Sequence, residues 1–253
     1  MIEKIKDIYI YIDEAGTLVE KDENKYFILS CYITDSPQQI KDELDSLYNN
    51  IINEPYLAFE VANFKRQGFH ACENHPDIRS RFYSLLLGLN IRIYSVVINK
   101  KSRVFESLQT RFDESDDLYA FFVRVLLKDR ILSERSHNIH IIFEEYGSSI
   151  GRHLSNMEKV ISRIIGEIKV NGVKDRISID VEIHSKEDIL LSVIDYTNFV
   201  IFQMLKDIPA DKNTRMIANF KLIEPQIASL YSMHNAKHYN SRNIINFEEI
   251  KVG

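Results

Sequence analysis

Ile8-Tyr9-Ile10-Tyr11-Ile12 is the stretch on which the fold turns. Its side chains are apolar on both alternating faces, so both faces need a cover. A strand of that kind belongs in the middle of a sheet, with helices packed on each side. It runs straight into Asp13-Glu14-Ala15-Gly16, which puts carboxylates at a strand end, where open α/β sheets bind their ligands. Outward from this run, Tyr26 to Thr34 (YFILSCYIT) reads as a second strand. A helix follows from Ser36 to Ile52, with Ser36 as N-cap and Pro37 in the first turn. His75-Pro76-Asp77 opens another helix through Leu89, and Ile91 to Ile98 forms a third strand.

The second half alternates. A helix over Asp116 to Leu132 precedes a strand over Ile139 to Phe143. The next helix, Gly151 to Ile168, places Leu154, Met157, Ile161, Ile164, Ile165 and Ile168 on one face. The Ile177 to Ile183 strand alternates apolar and polar residues, which predicts an edge strand with one wet face. A long helix from Lys186 to Leu205 closes the pattern. This order predicts an α/β sandwich around a mixed sheet, with helices on both faces. One domain is expected over residues 1–208, with 209–253 as a polar extension packed on it or trailing from it.

Hydrophobic residues make up 45% of the 253-residue chain and charged residues 27%, which excludes a disordered protein. The two cysteines, Cys31 and Cys72, cannot form a disulfide scaffold and show no zinc spacing, which fits a reducing, cytoplasmic setting. Acidic residues flank the short apolar run near the N-terminus, so no signal peptide is expected. No apolar stretch approaches the ~18 residues that a membrane span needs. The net charge of −5 excludes a histone-like binder. It leaves room for an acidic metal centre with local basic contacts.

Four constellations carry chemistry. Asp13-Glu14 ends one central strand and Glu144-Glu145 ends the other. Each pair taken alone reads equally well as a solvated turn. Together they would gather four carboxylates whose repulsion calls for a cation or a shared proton, and Mg²⁺ or Mn²⁺ prefers such oxygen ligands. In the last predicted helix, Asp188, Ser192 and Asp195 share one stripe, with Ser185 and Asp188 as cap residues. A solvent-facing stripe is the plain alternative, but this one continues into Phe199 and Phe202. Finally, Gly68-Phe69-His70-Ala71-Cys72-Glu73, with Arg79 and Arg81, could bind phosphate or move a proton. A polar loop capping a helix is the simpler account of it. Lys100-Lys101-Ser102-Arg103 is a weak candidate for a phosphate backbone. There is no Gly-rich phosphate loop, GxSxG, HExxH or nucleophile triad pattern.

Asp13-Glu14-x-Gly16 after a first strand, then Ser185-Lys186 and a helical Asp195, resembles the ribonuclease H-like family catalogued as domain of unknown function 3800. Phe69-His70-Ala71-x-Glu73 through Arg79, and Val96-Val97-Ile98-Asn99-Lys100, resemble further segments of that family. The likeness spans about residues 7–205 and implies a five-stranded mixed sheet in the order 3-2-1-4-5. It also implies a divalent-metal-dependent nuclease acting on RNA or DNA. Asp13, Glu144 and Asp195 would hold Mg²⁺ or Mn²⁺, with Glu14 and Glu145 as further ligand candidates. Lys186 would neutralise phosphate charge from the start of the last helix, and His70 would assist proton transfer. The chain departs from the family at Ser192, where members have Gln, and at His184, where they have Asp; Glu144 replaces a frequent Asp. Those departures motivate the alternative, a catalytically inactive nucleic-acid- or protein-binding module of the same fold. A third reading is an enzyme that processes small nucleotides.

Overall fold

The computed structural model describes residues 5–18, 24–112, 114–134, 137–145, 150–170, 178–209 and 211–252. Ile177, the expected start of the fifth strand, lies outside the described residues. The apolar run forms β1 (Asp7–Ala15), and the wholly buried YFILSCYIT forms β2 (Tyr26–Thr34). Three more strands follow: β3 (Arg92–Asn99), β4 (Asn138–Glu144) and β5 (Ser178–His184). β4 and β5 lie parallel to β1, while β2 runs antiparallel between β1 and β3. β5 is the edge strand, and its exposure alternates as its sequence does.

The expected five-stranded sheet is corrected to a seven-stranded one, ordered β5-β4-β1-β2-β3-β6-β7. The added strands come from the segment read as a polar extension. There β6 (Ile227–Ser232) pairs parallel with β3, and β7 (Lys237–Tyr239) pairs antiparallel with β6. They cover the flank of β3, which would otherwise present unpaired backbone groups. Their brevity and polar surroundings hid them in the sequence.

Helices cover both faces. On one side lie α1 (Pro37–Ile52), α3 (Pro76–Leu86) and α7 (Ser192–Leu205). Two helices from the extension, α8 (Thr214–Ile223) and α9 (Phe247–Lys251), join that layer. On the other side lie α4 (Arg103–Arg111), α5 (Ser115–Ser133) and α6 (Ile150–Val170). The short α2 (Val61–Gln67) closes a satellite cluster around Phe64 and Ile78. No described helix is long and apolar enough to cross a membrane.

Two local expectations are also corrected. Ser36 takes the N-cap position and Pro37 the first turn of α1, as expected, but the Ser36 hydroxyl donates to Asp35 Oδ1 at 2.9 Å and makes no cap hydrogen bond. The final helix begins at Ser192, not at Lys186. Asp188 Oδ1 accepts the Leu190 N–H at 3.0 Å and starts a 3₁₀ turn over Ile189–Leu191. A short carboxylate that captures a nearby N–H in this way competes with the helical ladder. Ser185 to Asp188 therefore precede the helix, and Asp188, Ser192 and Asp195 do not share a helical stripe.

Candidate active site

β1 and β4 are adjacent and parallel, with Ile12 opposite Phe143, so Asp13 and Glu144 form the next rung at their C-terminal ends. The pleat decides where each acid points. Tyr11 and Ile142 face the α7 layer, while Ile12 and Phe143 face α5 and α6. Asp13 and Glu144 therefore emerge on the α7 face. Glu14 takes the opposite face, where Tyr119 Oη of α5 donates to its Oε2 at 3.1 Å. Asp195, in the first turn of α7, approaches from the covering layer. Asn198, one turn further, donates Nδ2–H to the Asp13 carbonyl at 3.0 Å and locks α7 to this strand end. Gly16 ends the strand at φ +83°, and a Cβ there would lie 2.7 Å from the Tyr26 carbonyl oxygen. Only glycine permits that close approach.

A cleft of about 780 Å³ opens beside these strand ends, lined by Asp13, Glu14, Gly16, Thr17, Glu144, Glu145, Ser185, Lys186 and Glu187. Glu145 follows the strand, and its N–H donates to the His184 carbonyl at 2.8 Å. Lys186 Nζ lies 3.6 Å from Glu144 Oε1 and its side chain is 72% exposed. Asp195 and His70 do not line this cleft; the 68–75 loop brings them together instead. The Ala71 N–H donates to Asp195 Oδ2 at 2.7 Å, and His70 Nδ1 lies 3.8 Å from the same oxygen.

That loop is fixed by Asn74, which carried no expectation, and by Arg79, expected at phosphate. Asn74, 4% exposed, accepts the His70 N–H at 3.0 Å and the Tyr196 hydroxyl proton on Oδ1, and donates to the Gly68 carbonyl at 3.0 Å. Arg79 Nη1 donates to the Ala71 and Asn74 carbonyls at 3.0 and 2.6 Å, so its guanidinium secures backbone rather than phosphate. Arg81 pairs with Glu54 at 2.9 Å. Lys100 Nζ donates to the Thr17 carbonyl at 2.9 Å, which ties the basic segment to the loop after β1. Tyr119 and Asn198 showed in the sequence only as polar groups within apolar helical patterns, with partners 105 and 185 residues away, and Asn74 only as one polar residue of a polar loop.

The electrostatics are those of crowded carboxyls. Burial, then the charges of Glu14, Glu144 and Asp195, push the Asp13 carboxyl well above its ordinary range. Burial also raises Glu14 to about 7, against the Tyr119 hydrogen bond. Glu144 is raised by burial and by Asp195, with Lys186 opposing. Asp195 is raised by burial, with the Ala71 N–H, His70 and Lys186 opposing. A divalent cation would supply the missing positive charge, and the set is all oxygen, which suits a hard ion. The three acids are not closed around a point, however. Among the described residues, the group whose ligand atoms all lie within 4.8 Å of one another is His140, Asp180 and Glu182; Asp13, Glu144 and Asp195 are spread more widely.

Ser192 and His184, two of the positions where the resemblance breaks, are satisfied within the chain. Ser192 Oγ donates to the Ile189 carbonyl at 2.5 Å, and His184 lies between Asp188 and Glu182 at 2.5 and 2.8 Å. No family model and no curated protein matches the chain.

Proposed function

We propose that the chain is a divalent-metal-dependent nuclease that hydrolyses phosphodiester bonds in RNA or DNA on a ribonuclease H-like core, akin to the family of domain of unknown function 3800. One observation carries the reading: Asp13 and Glu144 leave adjacent parallel strand ends on the face where α7 delivers Asp195. Buried carboxyls that raise one another are costly unless a cation joins them. Asp13, Glu144 and Asp195 would hold Mg²⁺ or Mn²⁺, with Glu14 and Glu145 as further oxygen donors on the cleft wall. Such ions, when bound, activate water and stabilise the attacking and leaving oxygens of phosphodiester displacement.

The protein's own groups have separable tasks. The Ala71 amide and Asn198 fix Asp195 and the Asp13 strand end before substrate arrives. Lys186, exposed on the cleft wall, offers an ammonium to phosphate charge. His70, half exposed beside Asp195, can pass a proton to the leaving oxygen.

Oligonucleotide cleavage with Mn²⁺ or Mg²⁺, on single- and double-stranded RNA and DNA, tests the reading. The wild type is expected to cut at least one of these substrates and to stop in EDTA. Asp13→Asn and Asp195→Asn should each lower the rate by about a hundredfold or more. The reading fails if wild-type protein cleaves nothing with Mn²⁺ while Asp13→Ala and Asp195→Ala bind Mn²⁺ as the wild type does. The wide spacing of the three acids favours one second reading, a nucleic-acid- or protein-binding module without turnover. Saturable oligonucleotide binding without cleavage, unaffected by EDTA, would identify it.

A further inference from the structure

The sheet face that carries Asp13 and Glu144 bears another polar constellation nearer the opposite strand ends. Tyr9 of β1, His140 of β4 and Asp180 of β5 stand in register, and Glu182 follows on the same face of β5. The His140 ring stacks on Tyr9 with centroids 4.7 Å apart. Its Nε2 lies 3.6 Å from Asp7 Oδ1, and its Nδ1 lies 3.9 Å from Asp180 Oδ2. One ligand atom from each of His140, Asp180 and Glu182 falls within 4.8 Å of the other two.

The ion pairs of His140 are long ones. At 3.9 Å, His140 Nδ1 and Asp180 are too far apart for a hydrogen bond. Two donors that each sit ~2.0–2.2 Å from a shared tetrahedral cation lie about 3.3–3.6 Å apart, so a closure of a few tenths of an ångström brings this pair to ligation distance. A metal-bound histidine characteristically gives its other ring N–H to a carboxylate, and Asp7 stands beside Nε2 in that place. The neighbouring charge points the same way. Asp7 and Asp180 flank His140 and Glu182 follows along β5, and among the described residues only His140 and His184 form ion pairs with these three. Asp180 and Glu182 also repel each other along one face of an edge strand, and among the described residues no lysine or arginine forms an ion pair with either.

We propose that His140, Asp180 and Glu182 form a second metal site, for a borderline divalent cation of the Zn²⁺ class. Asp7 orients His140, and His184 orients Glu182. The cation cross-links β4 to the edge strand β5. A nitrogen donor beside two carboxylates suits Zn²⁺ better than Mg²⁺, which keeps to oxygen and gives up water reluctantly. His140 precedes Glu144 by four residues, about 13 Å, and Glu182 stands two rungs short of Glu144, about 7 Å, at ~3.3 Å per residue. This site is therefore distinct from the carboxylate cluster and does not depend on the nuclease reading.

Zn²⁺ titration of the full chain by calorimetry, in excess Mg²⁺, reads the site directly, with Co²⁺ absorption and thermal melts alongside. The expected result is one tightly held equivalent of Zn²⁺, a Co²⁺ band showing nitrogen ligation, and a Zn²⁺-dependent rise in Tm. His140→Ala and Asp180→Asn should each weaken Zn²⁺ binding by more than about tenfold, and Asp13→Asn should leave it unchanged. The proposal is overturned if the wild type takes up no Zn²⁺ in Mg²⁺, if Asp180→Asn binds as the wild type does, or if Asp13→Asn abolishes uptake. Asp180 is exposed, so its variant decides the matter even where His140→Ala fails to fold. Absence of nuclease activity beside intact Zn²⁺ binding would count against the proposed function alone.

Discussion

The carboxyl of Asp13 lies buried under the charges of Glu14, Glu144 and Asp195, and all four groups are raised above their ordinary values. A carboxyl that titrates higher in the folded chain than in the unfolded one favours folding while it is protonated. That contribution is complete below the unfolded value and is lost as pH rises through the folded one. For Glu14 the window runs from 4.5 to about 7. Cation-free protein should therefore lose thermal stability across this interval, with Glu14→Gln flattening the decline and Mg²⁺ restoring stability at neutral pH. Melting curves in EDTA across the window check this, and a Tm that stays level or climbs contradicts the assigned environment. Asn74 makes a second claim at this scale. Asn74→Ala strands the His70 N–H, the Gly68 carbonyl and the Tyr196 hydroxyl. Only the Tyr196 hydroxyl is fully buried, so at ~1–3 kcal/mol for an unsatisfied buried group and less for the two half-buried ones, the variant should lose about 2–4 kcal/mol in urea unfolding and loosen the Ala71 hold on Asp195.

Among the elements, legibility followed the number of apolar residues in a run. β1 and β2 were readable because a strand buried on both faces is apolar almost throughout, β4 because its Ile139 and Ile141–Phe143 stretch is buried, and β5 because its one wet face imposes alternation. The acids at the ends of β1 and β4 were readable for the same reason, since a charge after such a run can only mark its exit. The start of α7 was not readable, because an Asp captures a backbone N–H equally well in a cap and in a 3₁₀ turn. The clamp of Asn74, Tyr196 and Arg79 was hidden because Tyr196 lies 122 residues from Asn74, while the nearer bonds run to backbone groups of Gly68, His70 and Ala71, which carry no side-chain signature. The turn before α7 yields a contrast that tests its assignment. Asp188→Ala removes the acceptor of the Leu190 N–H and a partner of His184, and should cost about 0.5–2 kcal/mol, as lost caps do. Lys186→Ala, in the exposed turn, should leave stability within about 0.5 kcal/mol of the wild type. Equal losses in chemical denaturation would place Lys186 inside the helix after all.

At the scale of the molecule, the segment beyond residue 208 is structurally continuous with the rest. β6 extends the sheet beyond β3, and α8 and α9 complete one of its covering layers. Phe220, Ile223, Ile227, Leu230, Tyr239, Phe247 and Ile250 are all buried in the same cluster as Ile194, Val200 and Tyr83. Each such side chain stabilises by roughly 1.5–3 kcal/mol, so together they match or exceed the roughly 5–15 kcal/mol by which a whole domain is stable. A chain ending at residue 208 would also expose the flank of β3 along the register it shares with Ile227 to Ser232, an open template for aggregation. Calorimetry of the full chain should therefore show one cooperative transition. The 1–208 fragment should show none, and should enter inclusion bodies or bind hydrophobic dye. A fragment that melts cooperatively near the full-length Tm would mean that the seven-stranded sheet is two separable units, with the carboxylate cluster housed in the first.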